Sequence, residues 1–264
     1  MNSMMLDLGF LQIRWYSIFM LISIVTAALI MYQEAKKKGM DKDTFLDMAF
    51  YGVLIGITGA RAYYVLFNLD YYLKDPIEII CTWHGGLAIH GALIATLTFL
   101  YFYTKKKKIN FLLLLDIIVV GLIIGQAIGR WGNFFNGEAF GREVSLSFLQ
   151  NMHLPNFIIK GMYINRAYRE PTFLYESISS IIGFILLLVV RKKLSIKTGT
   201  LTSIYLIWYG TIRLIIESFR SDSLMLGPIK IAQLVSIIGI ISGIVLLIRS
   251  KENKYYKKDK LIQK

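Results

Sequence analysis

Apolar residues dominate seven separate stretches of the chain, and polar segments divide them. The stretches are residues 15–32, 46–67, 87–103, 111–128, 173–190, 201–216 and 231–248. A helix of about 20 apolar residues crosses roughly 30 Å of hydrocarbon, and most of these stretches approach that length. The pattern therefore predicts an all-α, polytopic membrane protein with seven transmembrane helices.

The lysines and arginines between the stretches indicate an orientation. Basic clusters follow every second stretch, at residues 36–42, 105–108, 191–197 and 249–264. Because loops rich in Lys and Arg stay in the cytoplasm, we expect the N-terminus outside and the C-terminus in the cytoplasm. The segments that then face the exterior are residues 69–83, 134–171 and 218–230.

Composition supports a membrane protein and excludes several other classes. Of the 264 residues, 55% are hydrophobic and 18% are charged, so residues 1–264 are expected to form a single integral membrane domain with residues 134–171 as its extracytoplasmic segment. The net charge of +13 lies mostly in the basic clusters, which argues against nucleic acid as a partner. The lone Cys81 excludes an internal disulfide and a cysteine-rich metal site, and no metal or cofactor is expected.

The densest polar cluster near an apolar stretch is residues 129–141, with the sequence GRWGNFFNGEAFG. Ionisable groups at membrane depth are costly and are therefore candidates for function. The candidates in this cluster are Arg130, Asn133, Asn136, Glu138 and Gly141. An arginine offers a planar fork of donors that suits a phosphate. The alternative is a polar helix end at the interface, with Arg130 reaching towards water.

A second polar group lies at the outer end of the sixth stretch. Tyr209, Arg213, Glu217 and Arg220 are spaced by four, four and three residues, which places them on one helical face. Glu217 can pair with one arginine and leave the other to a ligand phosphate. The alternative is a structural ion pair that fixes helix packing.

Two further positions and a tyrosine complete the set. His90, inside the third stretch, is the histidine best placed to move a proton, with packing as its alternative, whereas His84 precedes the stretch. Arg61, near the outer end of the second stretch, is a third arginine at the same depth. Tyr16 is expected in the same outer pocket, with a place in the aromatic belt at the membrane surface as its alternative.

Arginines at one depth on three stretches favour a shared anion, and a phospholipid headgroup is the abundant phosphate in a bilayer. The residues thus predict a phospholipid-handling site in the outer leaflet, with His90 or Glu138 as the base. No internal repeat is visible, which counts against a transporter built from two matching halves.

The sequence of residues 129–141 resembles the defining motif of the bacterial prolipoprotein diacylglyceryl transferases. The resemblance covers essentially the whole chain. It also includes residues 15–16, 59–65, 83–91, 171–176 and 209–213, together with Glu217 and Arg220.

The resemblance implies transfer of the diacylglyceryl group of phosphatidylglycerol to the thiol of a lipobox cysteine in a preprolipoprotein, with release of glycerol 1-phosphate. It implies a bacterial cell membrane location. By matching position it implies essential roles for Arg130 and Arg213, motif roles for Asn133, Asn136, Glu138 and Gly141, and functional roles for Tyr16, His90, Tyr209 and Glu217. Glu138 is expected to position Arg130, while Arg61 and Arg220 are expected to help bind the lipid.

Two departures and two rival functions accompany the resemblance. Glu170 stands where many members have histidine, and Gly91-Ala92 stands where they have a glycine pair. A transporter or flippase for an anionic lipid could use the same arginines without a reaction. A non-catalytic membrane scaffold would need them only for ion pairs.

Overall fold

A computed structural model describes residues 4–7, 12–193, 195–221, 225–250, 254–256 and 259–261. The fold is mostly helical. The described helices are α1 (Trp15–Lys37), α2 (Lys42–Leu66), α3 (Leu69–Tyr72), α4 (Ile89–Lys106), α5 (Phe111–Asn136), α6 (Leu146–Asn151), α7 (Asn156–Gly161), α8 (Thr172–Lys192), α9 (Thr200–Phe219) and α10 (Ile231–Ser250). Two 3-10 helices, Pro76–Ile79 and Thr82–His84, lie between α3 and α4.

The described residues also form three short antiparallel strand pairs, one before α1 and two between helices. Their strands are β1 (Met4–Asp7), β2 (Gln12–Arg14), β3 (Tyr163–Ile164), β4 (Ala167–Tyr168), β5 (Met225–Leu226) and β6 (Ile229–Lys230). β1 pairs with β2, β3 with β4, and β5 with β6. The prediction from the sequence contained no strands, because runs of two to four residues give no period-two signal.

Each of the seven predicted stretches falls on one long helix, with most ends within four residues of the prediction, but α1 continues five residues and α5 eight residues beyond their predicted ends. Five of these helices are long and apolar enough to cross a membrane: α1, α2, α5, α8 and α10. α4 and α9 are shorter or more polar, since α4 ends in Lys105 and Lys106 and α9 carries Arg213 and Glu217. The predicted basic tail falls partly outside the described residues, at Lys251, Lys257, Lys258 and Lys264, as do residues 222–224 of the third exterior segment.

The chain forms two compact units, and the smaller contains residues 34–114 and 260–264. In this unit α2 packs against α4 through small residues, which permit close approach of two helix backbones. A Cβ at Gly59 would collide with the Cβ of Ala95. At the other end of α2, Asp41 caps the helix, and the hydrogen bond from the Thr44 N–H holds the pKa of the Asp41 carboxyl below its ordinary value.

The larger unit contains residues 1–33 and 115–259, and its helices α8, α9 and α10 pack in chain order. The N-terminus of α9 is fixed by Asp116 of α5, a fully buried carboxylate. Its oxygens accept hydrogen bonds from the backbone N–H groups of Gly199 (2.6 Å) and Thr202 (2.8 Å) and from the Thr202 hydroxyl (2.7 Å). A carboxylate at a helix N-terminus is stabilised by the unpaired N–H groups there. Asp116 therefore fixes the start of α9 against α5.

The segment that follows α5 has a small hydrophobic core of its own. Its buried residues are Phe134, Leu149, Ile158, Ile159, Met162 and Phe173. The rings of Phe134 and Phe173 stack with centroids 4.5 Å apart, which joins the end of α5 to the start of α8. This segment is therefore folded against α5 and α8, two of the helices that carry the candidate site.

Candidate active site

The first half of the motif is helical, because α5 continues past residue 128 to Asn136. Gly137 ends the helix with φ +68°, a conformation that glycine adopts without a steric penalty. The N–H of Gly137 donates to the Phe134 carbonyl at 3.2 Å, and the N–H of Glu138 donates to the Asn133 carbonyl at 3.0 Å. These two bonds form a Schellman motif. The helix thus fixes the direction of Arg130 and Asn133.

Arg130 and Arg213 meet at a single carboxylate, Glu176. Arg213 donates from Nη1 to Oε1 of Glu176 at 2.6 Å, and Nη2 of Arg130 contacts Oε2. The Glu176 side chain is 4% exposed, while those of Arg130 and Arg213 are 18% and 15% exposed. Three helices, α5, α8 and α9, therefore converge on one nearly dry ion-pair network.

The network continues along α9. Nη2 of Arg213 lies 2.8 Å from Oε2 of Glu217, which confirms the predicted i,i+4 pair, and Nε of Arg220 lies 3.9 Å from the same oxygen. Lys230 of β6 donates to the backbone carbonyls of Glu217 (2.6 Å) and Arg220 (3.0 Å). We call Arg130, Arg213, Arg220, Glu176 and Glu217 the arginine cluster; these five side chains carry three positive and two negative charges.

Four polar side chains of residues 129–141 form two pairs, Arg130 with Asn133 and Asn136 with Glu138. Arg130 donates from Nη1 to Oδ1 of Asn133 at 3.3 Å, so Asn133 orients that guanidinium. The side-chain amide of Asn136 donates to the carboxylate of Glu138, which is exposed. The expectation that Glu138 positions Arg130 is therefore corrected, because the carboxylate beside Arg130 is Glu176.

Gly141 lies where two backbone segments approach closely. Its N–H donates to the Glu170 carbonyl at 2.9 Å, and its carbonyl accepts from the Ser221 hydroxyl at 3.2 Å. Gly141 forms an isolated antiparallel bridge with Arg220. A Cβ at Gly141 would lie 2.8 Å from the Cβ of Glu170, closer than real Cβ atoms approach. These contacts explain a glycine at this position by packing, and they place it next to the arginine cluster.

Glu170, which departs from the sequence motif noted above, has protein partners. Its carboxylate accepts from Nε of Arg142 at 3.1 Å and from the Tyr175 hydroxyl at 3.3 Å. Its backbone N–H donates to the Arg142 carbonyl at 2.9 Å, and the backbone N–H of Arg142 donates to the Phe219 carbonyl at 3.0 Å. Glu170 thus stabilises the backbone that carries Gly141 alongside the end of α9.

The two tyrosines expected at the site lie on helices that carry or adjoin the cluster. A Cβ at Gly132 would lie 3.2 Å from Cδ2 of Tyr16, so the Tyr16 ring packs on α5 two residues beyond Arg130. Tyr209 stacks on Tyr205 with ring centroids 5.7 Å apart and an interplanar angle of 4°. Tyr209 precedes Arg213 by one helical turn.

His90 and Arg61 belong to the smaller unit. His90 is half-buried in the first turn of α4, with its ring 6.3 Å from that of Tyr63. Arg61 directs its nitrogen atoms at backbone carbonyls of the loop before α4, from Glu78 to Gly86. These contacts give Arg61 a structural role, and its predicted contact with a lipid phosphate stays a prediction.

The main residue that the sequence reasoning missed is Glu176. It is the fifth residue of α8, inside an apolar stretch, and an ionisable residue at that depth is a signal by itself. Glu176 entered the prediction only as the last residue of the segment 171–176. Asp116, which also lies inside an apolar stretch, was not among the predicted residues either.

Comparison with known proteins identifies relatives along nearly the whole chain. The family model described as prolipoprotein diacylglyceryl transferase matches residues 3–249. Three similar proteins are each named phosphatidylglycerol–prolipoprotein diacylglyceryl transferase. The one from Listeria innocua is 44% identical over 97% of this chain and 93% of its own length. The one from Bacillus cytotoxicus is 46% identical over 96% and 94%, and the one from Staphylococcus xylosus is 45% identical over 92% and 87%. The chain belongs to the prolipoprotein diacylglyceryl transferase family.

Proposed function

We propose that this protein transfers the diacylglyceryl group of phosphatidylglycerol to the thiol of the lipobox cysteine of a preprolipoprotein. The products are a thioether-linked lipoprotein precursor and glycerol 1-phosphate. In this reaction a carbon–sulfur bond forms at the glyceryl carbon as its bond to the phosphate oxygen breaks. The thiol loses its proton, because the thiolate is the attacking species.

The observation that supports this function best is the convergence of Arg130 and Arg213 on Glu176. Two guanidinium groups from different helices are held at one point by a buried carboxylate. Such a preorganised pair suits the negative charge that develops on a departing phosphate. Because the site is largely withdrawn from water, each of these interactions is stronger than at an open surface.

The roles of the other residues follow from their contacts. Asn133 orients Arg130, Glu217 holds Arg213 from the opposite side to Glu176, and Gly141 keeps the Arg220 backbone in place. We infer that Tyr16, which packs on α5 at Gly132, and Tyr209, one turn before Arg213 on α9, line the lipid site. We also infer that Asn136 and Glu138 act as a pair.

The base is proposed to be His90, on the strength of the family resemblance. Imidazole can accept a proton near neutral pH. The substitution His90→Gln should then reduce the rate most strongly at low pH, where the lipobox thiol is least ionised. A loss that is uniform across pH would assign His90 to binding or packing.

The seven long helices are proposed to cross the bacterial cell membrane, with the N-terminus outside. α1, α4, α8 and α10 each have basic residues in the last turn, as expected for cytoplasmic ends. The arginine cluster then lies at the outer leaflet, where lipobox signal peptides emerge. No role for nucleic acid is proposed.

The reaction itself provides the decisive experiment. Purified protein, phosphatidylglycerol and a lipobox peptide should yield free glycerol phosphate and a peptide with the mass of one added diacylglyceryl group. A peptide with serine in place of cysteine is the matched control and should gain nothing. Absence of both products would contradict the transferase function. The comparisons give no support to a transporter or flippase, which would move lipid without releasing glycerol phosphate.

A further inference from the structure

A second group of reactive side chains lies in the smaller unit, in the loop between α3 and α4. Glu78, Cys81 and His84 are spaced three residues apart: Glu78 lies in the first 3-10 helix, Cys81 just before the second, and His84 at the end of the second. A carboxylate oxygen, the thiol sulfur and an imidazole nitrogen from these residues all lie within 4.8 Å of one another. Nδ1 of His84 is 3.0 Å from each oxygen of the Glu78 carboxylate. The mechanism proposed above uses none of them.

Arg61 holds this loop through its backbone carbonyls. Arg61 donates from Nε to the Ile79 carbonyl at 2.9 Å and from Nη1 to the carbonyl of Gly85 at 2.5 Å and of Gly86 at 3.0 Å. Its Nη2 donates to the carbonyls of Glu78 and Cys81. The hydrogen bonds from Arg61 to the backbone thus hold the three side chains near one another before any ligand binds.

The group is reachable from solvent on one side. The His84 side chain is 57% exposed and that of Glu78 is 22% exposed, while Cys81 is 7% exposed. Both Glu78 and His84 line a cavity of about 320 Å³, whose other walls include Arg61, Tyr64 and Tyr72. An ion in the cavity could therefore reach the Glu78 carboxylate and the His84 imidazole, and the buried Cys81 sulfur lies within 4.8 Å of their ligand atoms.

We propose that Glu78, Cys81 and His84 form a binding site for a divalent transition metal ion, with zinc as the ion that the ligand set favours. Thiolate, imidazole and carboxylate are the ligands that zinc takes in proteins. One thiolate, one carboxylate and one neutral imidazole balance the two charges of the ion. The thiol proton leaves to solvent as the ion binds. Three protein ligands leave the fourth tetrahedral position to a water molecule.

The positive charge of Arg61 is compatible with this site. Its guanidinium is surrounded by backbone carbonyls of the same loop, and a nearby cation favours the thiolate over the thiol. The simpler alternative is that His84 and Glu78 only hydrogen-bond to each other. Cys81 would then remain a thiol, with its sulfur 3.5 Å from the Ile77 carbonyl oxygen.

Cobalt titration of the purified, chelator-treated protein separates the two. Cys81 is the only cysteine in the sequence, so a thiolate-to-cobalt charge-transfer band can come from no other residue. We expect such a band at one ion per chain, with zinc displacing the cobalt. Cys81→Ser should abolish it. Glu78→Gln and His84→Ala should weaken binding by roughly tenfold or more, since even the loss of an outer partner of a metal ligand costs that much.

The exposed His153 is the matched control, and His153→Ala should leave the titration unchanged. Cobalt binding without a thiolate band, or an equal loss in His153→Ala, would show an adventitious ion only and would overturn the site. A test on the unsubstituted protein removes any dependence on folding of the variants. Zinc should slow alkylation of Cys81 by iodoacetamide by roughly tenfold; an unchanged rate contradicts the proposal. Neither measurement depends on the transferase reaction.

Discussion

Glu176 determines the geometry of the arginine cluster at the scale of single residues. One carboxylate, 4% exposed, holds guanidinium groups from α5 and α9. A buried carboxylate next to two arginines is stable because each charge has a partner within hydrogen-bond distance. Removal of the Glu176 charge therefore leaves two guanidinium groups without their shared carboxylate in a largely buried site.

The substitution Arg213→Lys tests whether the planar fork matters beyond its charge. Arg213 uses Nη1 for Glu176 and Nη2 for Glu217, and a lysine cannot occupy both positions with the same geometry. We expect diacylglyceryl transfer to fall by about 100-fold, as when one preorganised donor is lost from an anion site. Arg166→Lys, at an exposed turn, is the control and should keep full activity. An active Arg213→Lys enzyme would remove Arg213 from the phosphate site.

The substitution Glu176→Gln keeps the size of the side chain and removes its charge. We expect the free energy of unfolding to fall by about 3 kcal/mol, as for a broken buried ion pair, and transfer to fall by about tenfold or more. Thermal unfolding in detergent and glycerol phosphate release measure the two effects. Glu143→Gln is matched in chemistry at a 70% exposed side chain and should change neither. Unchanged activity in Glu176→Gln would contradict the proposal that the Glu176 carboxylate positions Arg130 and Arg213 for transfer.

The sequence was sufficient to nominate Arg130, Arg213 and Glu217, because their charge and spacing on apolar helices are visible in one dimension. It was insufficient to find the contact between Arg130 and Glu176. These residues are distant along the chain, and only tertiary packing of α5, α8 and α9 joins them. Arg61 shows the converse, since its isolated charge suggested a ligand and its partners are backbone carbonyls.

At the scale of elements, helix existence was predictable and helix ends were not. The length of the apolar stretches predicts where all seven long helices lie. α5 nevertheless continues to Asn136, because the glycines at positions 129 and 132 do not interrupt the helix, whereas Gly137, with φ +68°, ends it. The short hairpins and the 3-10 helices give no periodic signal. The contact between residues 141–142 and the end of α9 arises from those irregular segments.

The substitution Gly141→Ala tests that contact. The added Cβ would lie 2.8 Å from the Glu170 Cβ and 3.0 Å from Cγ2 of Thr172, so the backbone beside Arg220 must shift. We expect a loss of about 1–3 kcal/mol in unfolding free energy, typical of overpacking, together with reduced transfer. Gly239→Ala in α10, where a Cβ would meet nothing within 4 Å, should preserve both stability and activity. A stable, fully active Gly141→Ala protein would contradict the packing role.

At the scale of the whole molecule, the distribution of charge predicts which ends face the cytoplasm. Basic residues occupy the last turns of α1, α4, α8 and α10. The segment after α5 carries a compact hydrophobic core and the backbone contacts that hold the cluster. An exterior position for that segment would bring the site to the side on which secreted substrates appear.

Thiol labelling of intact spheroplasts can establish this orientation. In a Cys81→Ser background, Ser147→Cys in the segment after α5 should react with a membrane-impermeant maleimide. Lys107→Cys, after α4, should react only once the membrane is permeabilised. Both positions are exposed, so burial does not separate them. The reverse pattern of labelling would invert the proposed topology.

The shared carboxylate also bears on turnover. A phosphate that binds Arg130 and Arg213 must compete with an anion that never leaves the protein, so its net affinity is the difference between two ionic contacts. When glycerol phosphate departs, Glu176 is already in place to recover both guanidinium groups. We therefore expect weak inhibition by the phosphate product and by simple phosphate mimics. Only phosphate analogues that also carry acyl chains should bind tightly, because the chains supply the rest of the binding energy.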